Sequence, residues 1–310
     1  METKKKIIFW GTPAFAVPSL DALLELEIVS AVVTRPDRRQ GRGRRVSLTT
    51  PVADRAREHG VSVLQPEKFD DEFVAQLRSY LPATFCTVAY GRLIPEDLLG
   101  LSELPALNLH PSLLPRWRGP SPIQYVLLHG ETQTGLTLMV MDAEMDHGPI
   151  IAQKKIAVSL GDTYVSLSEK LSFSARQFIS KHVPLYLSRS AETTIQDHSK
   201  ATYSKLIKAA DAELAVSLAA GEALNRIRAL NPWPGTYVTW KGDRLGIQNA
   251  CATSEVSSDG RRFFKLTDDS LGISFSDGAI QATTVQLSGK RPAHSRDFLH
   301  GHPGILRSDV

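Results

Sequence analysis

The twelve residues from Asn108 to Gly119 read Asn-Leu-His-Pro-Ser-Leu-Leu-Pro-Arg-Trp-Arg-Gly, and they hold more potential chemistry than any other stretch of this chain. A short apolar run, Leu104 to His110, ends at a proline and reads as a buried strand reaching a sheet edge. Alternation along a strand puts Asn108 and His110 on one face, with Leu109 turned into packing. An amide that can donate and an imidazole that can donate, accept or carry charge then share one pocket, the equipment for stabilising a developing oxyanion and moving a proton. An isolated Asn-x-His at a strand end is more often structural. Pro111 and Pro115 stiffen the exit loop here, and Trp117, between Arg116 and Arg118, is expected to form a flat wall with two charges beside it. A second polar cluster follows at Met141-Asp-Ala-Glu-Met-Asp-His-Gly148, where Asp142, Glu144 and Asp146 are either a solvated acidic turn or a source of one carboxylate for the same pocket.

The elements that must position these groups are legible as alternation. Apolar runs at Ile7–Trp10, Ile28–Thr34, Val61–Leu64, Ala83–Val88 and Leu104–His110 are separated by segments with helical patterning, the signature of a mostly parallel sheet flanked by helices. Thr50 before Pro51 predicts a helix start with Gly60 beyond its end, and Ser121-Pro-Ile-Gln124 predicts another that stops at Gly130. Gly135–Met141 and Ile150–Val158 read as strands, and Asp162–Leu187 reads as one long amphipathic helix. The composition then turns polar, which predicts a linker over 189–207 between a first domain, 1–188, and a second, 208–310. In the second, a helix over Asp211–Leu230 is followed by short strands at Tyr237–Trp240, Phe263–Leu266, Ile273–Phe275 and Ile280–Leu287, predicting a small β-barrel.

At 310 residues and 42% hydrophobic content, two domains with ample core are expected. No apolar run reaches membrane-spanning length. Lys4–Lys6 with Ile7–Trp10 imitates a signal peptide only until Gly11 and Pro13 interrupt it, so a cytoplasmic, monomeric protein without a membrane partner is expected. Two distant cysteines, Cys86 and Cys251, exclude a disulfide framework and are expected to be inert core thiols. The net charge of +3 is uneven: residues 200–310 hold 14 basic and 11 acidic side chains, and the rest of the chain is balanced. Within that balanced part, six arginines crowd Arg35–Arg45 against one Asp37, a surplus that calls for an acidic partner or open solvent. The three-glycine dinucleotide fingerprint is absent after the first strand, so no NAD or FAD is expected. His300 and His302 lack further ligands, so no metal is expected either.

Ile8-Phe-Trp-Gly-Thr-Pro13, the Asn108–Gly119 block, Met141–Gly148, Asn231-Pro-Trp-Pro-Gly235 and Leu287-Ser-Gly-Lys290 together resemble the folate-dependent formyltransferases over nearly the whole chain. The resemblance implies an α/β, Rossmann-like catalytic domain followed by a small OB-like β-barrel that helps hold tRNA. It implies Asn108, His110 and Asp146 as a catalytic trio and Ser112, Leu113, Leu114 and Pro115 as a folate-binding segment. It further implies 10-formyltetrahydrofolate, a reduced folate, as formyl donor and methionyl-initiator tRNA as acceptor, with Arg42, Arg44 and Arg45 of the loop Arg35–Thr50 touching the RNA. His147 departs from the small polar residue common at its position. Three other readings stand beside it. A formyltransferase acting on an amino sugar or purine precursor shares the trio but leaves the basic features idle. An RNA-binding protein uses the basic features and leaves the trio idle. A nucleotide-binding reductase explains only the fold class.

Overall fold

The computed structural model describes residues 5–40 and 46–307, which form two compact units. The first, which includes residues 133–157 and 168–204 besides the N-terminal 122, is built on a seven-stranded sheet. Its strands are β1 (Ile7–Gly11), β2 (Val29–Val33), β5 (Val63–Leu64), β6 (Thr84–Val88), β7 (Leu107–His110), β8 (Gln133–Val140) and β9 (Ile150–Ala157), in the order β5-β2-β1-β6-β7-β8-β9. The first five are mutually parallel, and β8 and β9 complete the sheet antiparallel. All five residues of β1 are buried, as expected of a central strand covered on both faces.

The helices α1 (Val17–Glu25), α2 (Pro51–Glu58), α3 (Asp71–Arg78), α4 (Glu96–Leu99), α5 (Pro122–Leu128) and α6 (Tyr164–Leu187) punctuate the strands. The Thr50 hydroxyl accepts from the Ala53 amide and Pro51 opens α2, the start that the sequence announces. Arg176 of α6 pairs with Glu25 and lies 3.7 Å from Asp21 of α1, binding those two helices together. On the sheet's α3 side, Trp10 packs against Phe69, Phe73, Phe85 and Tyr90 at centroid separations of 5.2–6.2 Å. With the Thr12 hydroxyl donating to the Tyr90 carbonyl, that cluster ties the loops leaving β1 and β6 at the C-terminal edge of the parallel strands, where sites in such sheets form.

The arginine-rich segment is not wholly loop. β3 (Arg38–Gln40) and β4 (Val46–Leu48) pair antiparallel as a separate ribbon, and Asp37 accepts from Gln65 at 2.6 Å. Arg42, Arg44 and Arg45 lie outside the described residues.

The polar stretch after α6 is no free tether as far as Ser204. Thr194 bridges Ile150 in both directions at 2.8 Å, Gln196 is buried, and Tyr203 pairs parallel with Arg118. Polar composition reads as exposed linker, but here the polar groups serve as partners for the loop after β7.

The second unit carries a six-stranded antiparallel sheet: β10 (Tyr237–Trp240), β11 (Asp243–Ala252), β12 (Phe263–Lys265), β13 (Leu271–Ser274), β14 (Ala279–Leu287) and β15 (Ala293–His294). The ladder runs β10-β11-β14-β13-β12, with β15 on β14. Its ladder has two free ends, β10 and β12, and the unit packs on a core of Leu245, Ile247, Ile273, Ile280, Val285 and Phe298. The helix expected over Asp211–Leu230 is shorter, α7 (Ala220–Leu230), and α8 (Ser295–Gly301) follows β15. Leu214 instead donates to the Tyr237 carbonyl at 2.8 Å, so a ladder contact claims the first part of that stretch. The helix starts where Glu222 and Asp277 accept from the Ala219 and Ala220 amides.

One expectation about the cysteines is corrected. Cys86 is fully buried on β6, where burial pushes its thiol up to about 12, but Cys251 near the end of β11 is exposed. A thiol reagent at pH 8 should therefore modify one cysteine, Cys251, in the native protein and both after denaturation. Two fast-reacting native thiols would contradict the buried setting of Cys86.

Candidate active site

β7 carries the first two groups of the trio as its pattern dictates. Its register sets Asn108 opposite Met139 and His110 opposite Thr137 of β8, and Leu107 and Leu109 are buried on the other face. Asp146 arrives from the turn between β8 and β9 with φ of +55°, a left-handed conformation uncommon for a residue with a side chain. Its carboxylate Oδ1 accepts from Asn108 Nδ2 at 3.2 Å and lies 3.5 Å from His110 Nδ1. Its Oδ2 accepts from the Gly119 amide at 2.8 Å. The three side chains that the sequence singled out therefore meet.

The neighbours settle which atoms remain available. The Trp117 carbonyl is 2.9 Å from His110 Nε2, and a carbonyl can only accept, so that nitrogen carries a proton and points away from the pocket. Nδ1 is the ring atom left to face Asp146 and any reacting group. Asn108 Nδ2 has two hydrogens and spends one on Asp146, leaving the second for a substrate oxygen. Trp117 has φ of +58°, so two side-chain-bearing residues in the left-handed region flank His110. Clustering of such conformations is a mark of functional sites.

The expected wall of Trp117 is corrected. The indole is buried, with Arg116 over its ring at 5.6 Å, and the Arg118 guanidinium is buried too, donating to Gln196 and His198. Ser112 to Pro115 form a tightly bonded turn. The Ser112 hydroxyl donates to the Arg116 carbonyl at 2.6 Å, Thr137 Oγ1 donates to the Ser112 carbonyl at 2.7 Å, and Gln153 donates to the Leu114 carbonyl at 2.8 Å. Leu114 is buried, and Leu113 and Pro115 are half-buried, so any contact they make with a ligand is apolar.

Sequence reasoning missed the groups that hold the trio rather than form it: the Gly119 amide, the Trp117 carbonyl, Gln196 and Thr202, whose hydroxyl accepts from the Trp117 amide at 2.9 Å. Only Gly119 left a trace, as the glycine closing a rigid cationic loop. His147 donates from Nδ1 to Asp142 at 2.7 Å and stacks on His198 at 4.1 Å with 6° between the rings. A cleft of about 1280 Å³ in the second unit, lined among others by Asn231, Tyr237, Arg244 and Gln248, contains none of the trio. Convergence of reactive groups, not volume, selects the site. No cluster of three or more histidine, cysteine or acidic side chains able to hold a metal occurs among the described residues, and no helix there is long and apolar enough to cross a membrane.

Residues 5–183 match the family described as formyl transferase, and residues 206–303 match the formyl transferase C-terminal domain. The chain belongs to the formyl transferase family. It is thus a transferase, with the α/β unit as the family's N-terminal part. Among its relatives, a methionyl-tRNA formyltransferase from Myxococcus xanthus is 38% identical over 301 residues, covering 97% of this chain and 96% of that one. A protein of the same name from Lactobacillus acidophilus is 37% identical over 298 residues, covering 95% of each chain. Solved structures share the fold at lower identity. A methionyl-tRNA formyltransferase from Clostridium thermocellum superposes with a TM-score of 0.58 at 16% identity, covering 91% of this chain and 98% of that one. An N-formyltransferase from Helicobacter canadensis, in complex with folinic acid and dTDP-3-aminofucose, gives 0.68 at 20%, covering 90% and 98%.

Proposed function

We propose that this formyl transferase moves a formyl group from 10-formyltetrahydrofolate to the free amino group of methionyl-initiator tRNA, in the cytoplasm and as a monomer. The observation that carries this reading is the meeting of Asn108, His110 and Asp146 in a chain whose near-full-length relatives bear that name. The attacking amine forms a bond to the formyl carbon while the carbonyl electrons move to its oxygen, and the bond to the folate nitrogen then breaks. The remaining Asn108 hydrogen and a protonated His110 Nδ1 are the donors for that oxygen. The proton lost by the amine passes through Asp146 and solvent to the departing nitrogen, so no covalent enzyme intermediate is needed. The turn at Ser112–Pro115 serves as an apolar wall for the donor. Arg42, Arg44 and Arg45, with the basic surplus of residues 200–310, serve the RNA phosphates.

An assay of formyl transfer from 10-formyltetrahydrofolate to charged initiator tRNA, run beside free methionine and a nucleotide-linked amino sugar, tests the proposal. The charged tRNA should be the preferred acceptor by at least about a hundredfold in kcat/KM, roughly 2.7 kcal/mol. Preference for the amino sugar would move the chain to another branch of its family.

A further inference from the structure

We infer that Gln196 is a positioning residue for the reaction, clamping the Asp146 turn from the polar stretch after α6, outside the 108–119 and 141–148 motifs; the inference rests on the role proposed for Asp146. Gln196 is 4% exposed and Arg118, behind it, is 3% exposed. Arg118 donates to Gln196 Oε1 from Nε at 3.2 Å and from a terminal nitrogen at 2.8 Å. A guanidinium has no acceptor, so the orientation of the Gln196 amide is forced, and its two N–H bonds must point the other way. They meet the carbonyls of Asp146 at 3.0 Å and of Gly148 at 2.8 Å, on either side of the turn.

This contact bears on where the carboxylate points. The carbonyl of Asp146, in its left-handed backbone, meets the amide of the buried Gln196, and an acceptor left unpaired beside that side chain would be costly. Gln196 satisfies it, which makes the strained conformer the one that persists. Gly148 is held in the same grip and cannot be crowded from the other side, because a Cβ there would collide with the Val140 carbonyl. With the turn fixed, Oδ1 faces Asn108 and His110 and Oδ2 faces the Gly119 amide. A few residues along, the same segment secures that amide. Thr202 accepts from the Trp117 amide through its hydroxyl and from the Arg118 amide through its carbonyl, and Ser204 donates to the Arg118 carbonyl at 2.7 Å. His198, which accepts from Arg118 and stacks on His147, covers the junction. One short stretch, 194–204, therefore sets both the carboxylate and the backbone donor that meets it.

Gln196→Glu isolates the clamp. The carboxylate keeps the side-chain shape and pairs with Arg118, while both donors to the turn are lost and oxygen faces oxygen at two carbonyls. The expected result is a kcat lower by roughly 30- to 100-fold, the penalty of displacing a reacting group by about an ångström, with KM for donor and tRNA within about threefold of wild type. A structural role alone would give a loss independent of Asp146. In an Asp146→Asn background the added loss from Gln196→Glu should instead shrink to about threefold or less, because residues acting as a unit are not additive. Should Gln196→Glu prove insoluble, Gln196→Met, of similar length and without polar atoms, runs the same cycle. Full activity in either variant, or equal losses in the two backgrounds, overturns the positioning role. Absence of formyl transfer by the wild-type protein overturns the proposed function instead, and the two failures are read separately.

Discussion

His110→Ala is expected to lower kcat for formyl transfer by about a hundred- to a thousandfold while leaving a folded protein. The range is that of removing one donor from an oxyanion site. Geometry makes the loss specific: Nε2 is committed to the Trp117 carbonyl, so only Nδ1, 3.5 Å from Asp146, can serve reacting atoms. The substitution also strips that carbonyl of its partner, at a cost of about 1–3 kcal/mol, so some loss of thermal stability should accompany the loss of rate. Asn108→Ala should reduce rate similarly with less effect on stability, because Asn108 is only half-buried and Asp146 keeps the Gly119 amide. Steady-state kinetics at saturating donor and tRNA decide the matter. A kcat within threefold of wild type for His110→Ala would remove His110 from the reaction.

The second large effect is expected at Gly119. Its φ is +107°, and a Cβ would press into the Ser204 carbonyl, a main-chain atom held in place by the Ser204 amide's bond to Arg118. Gly119→Ala can therefore relax only by moving the amide that donates to Asp146 or by parting the 117–119 and 202–204 segments. Strain of this kind costs at least about 2 kcal/mol, and the accompanying shift of the Asp146 carboxylate should lower kcat by tenfold or more. Gly289→Ala is the control: φ there is +75° but a Cβ would meet nothing within 4 Å, so only the backbone cost of about 1 kcal/mol remains and activity should persist. Equal thermal and kinetic behaviour of the two variants would show that the collision at Ser204 is relieved cheaply.

These residues also mark the reach of sequence reasoning. Asn108 and His110 were legible because strand alternation is local: a run ending at a proline fixes which side chains share a face before any packing is known. Thr50 and Pro51 were legible for the same reason. Gln196 was not, because a glutamine in a polar run carries no local mark of burial, and its partners lie 48–78 residues away. The ten-residue β11 was passed over because Asp243–Ala252 contains few β-branched or aromatic side chains, and its place is set by β10 and β14 on either side. The expected helix over Asp211–Leu230 erred in the opposite sense, since helical patterning there yields to the ladder contact of Leu214 with Tyr237. The exposure of Cys251 was not legible because β11 has one wet face, and residue type alone does not say which.

The pairing of Arg118 with Tyr203 bears on how this family can be recombined. A crossover placed at the end of α6, where the first unit looks finished by its helices and strands, would graft a foreign Gln196, Thr202 and Ser204 onto a native Asp146 turn and Gly119 loop. Chimeras of two relatives joined after Leu187 would inherit mismatched halves of one hydrogen-bonded assembly. Joined after Ser204, they would keep the Asp146 turn, the Gly119 loop and the 194–204 stretch that holds both within one parent.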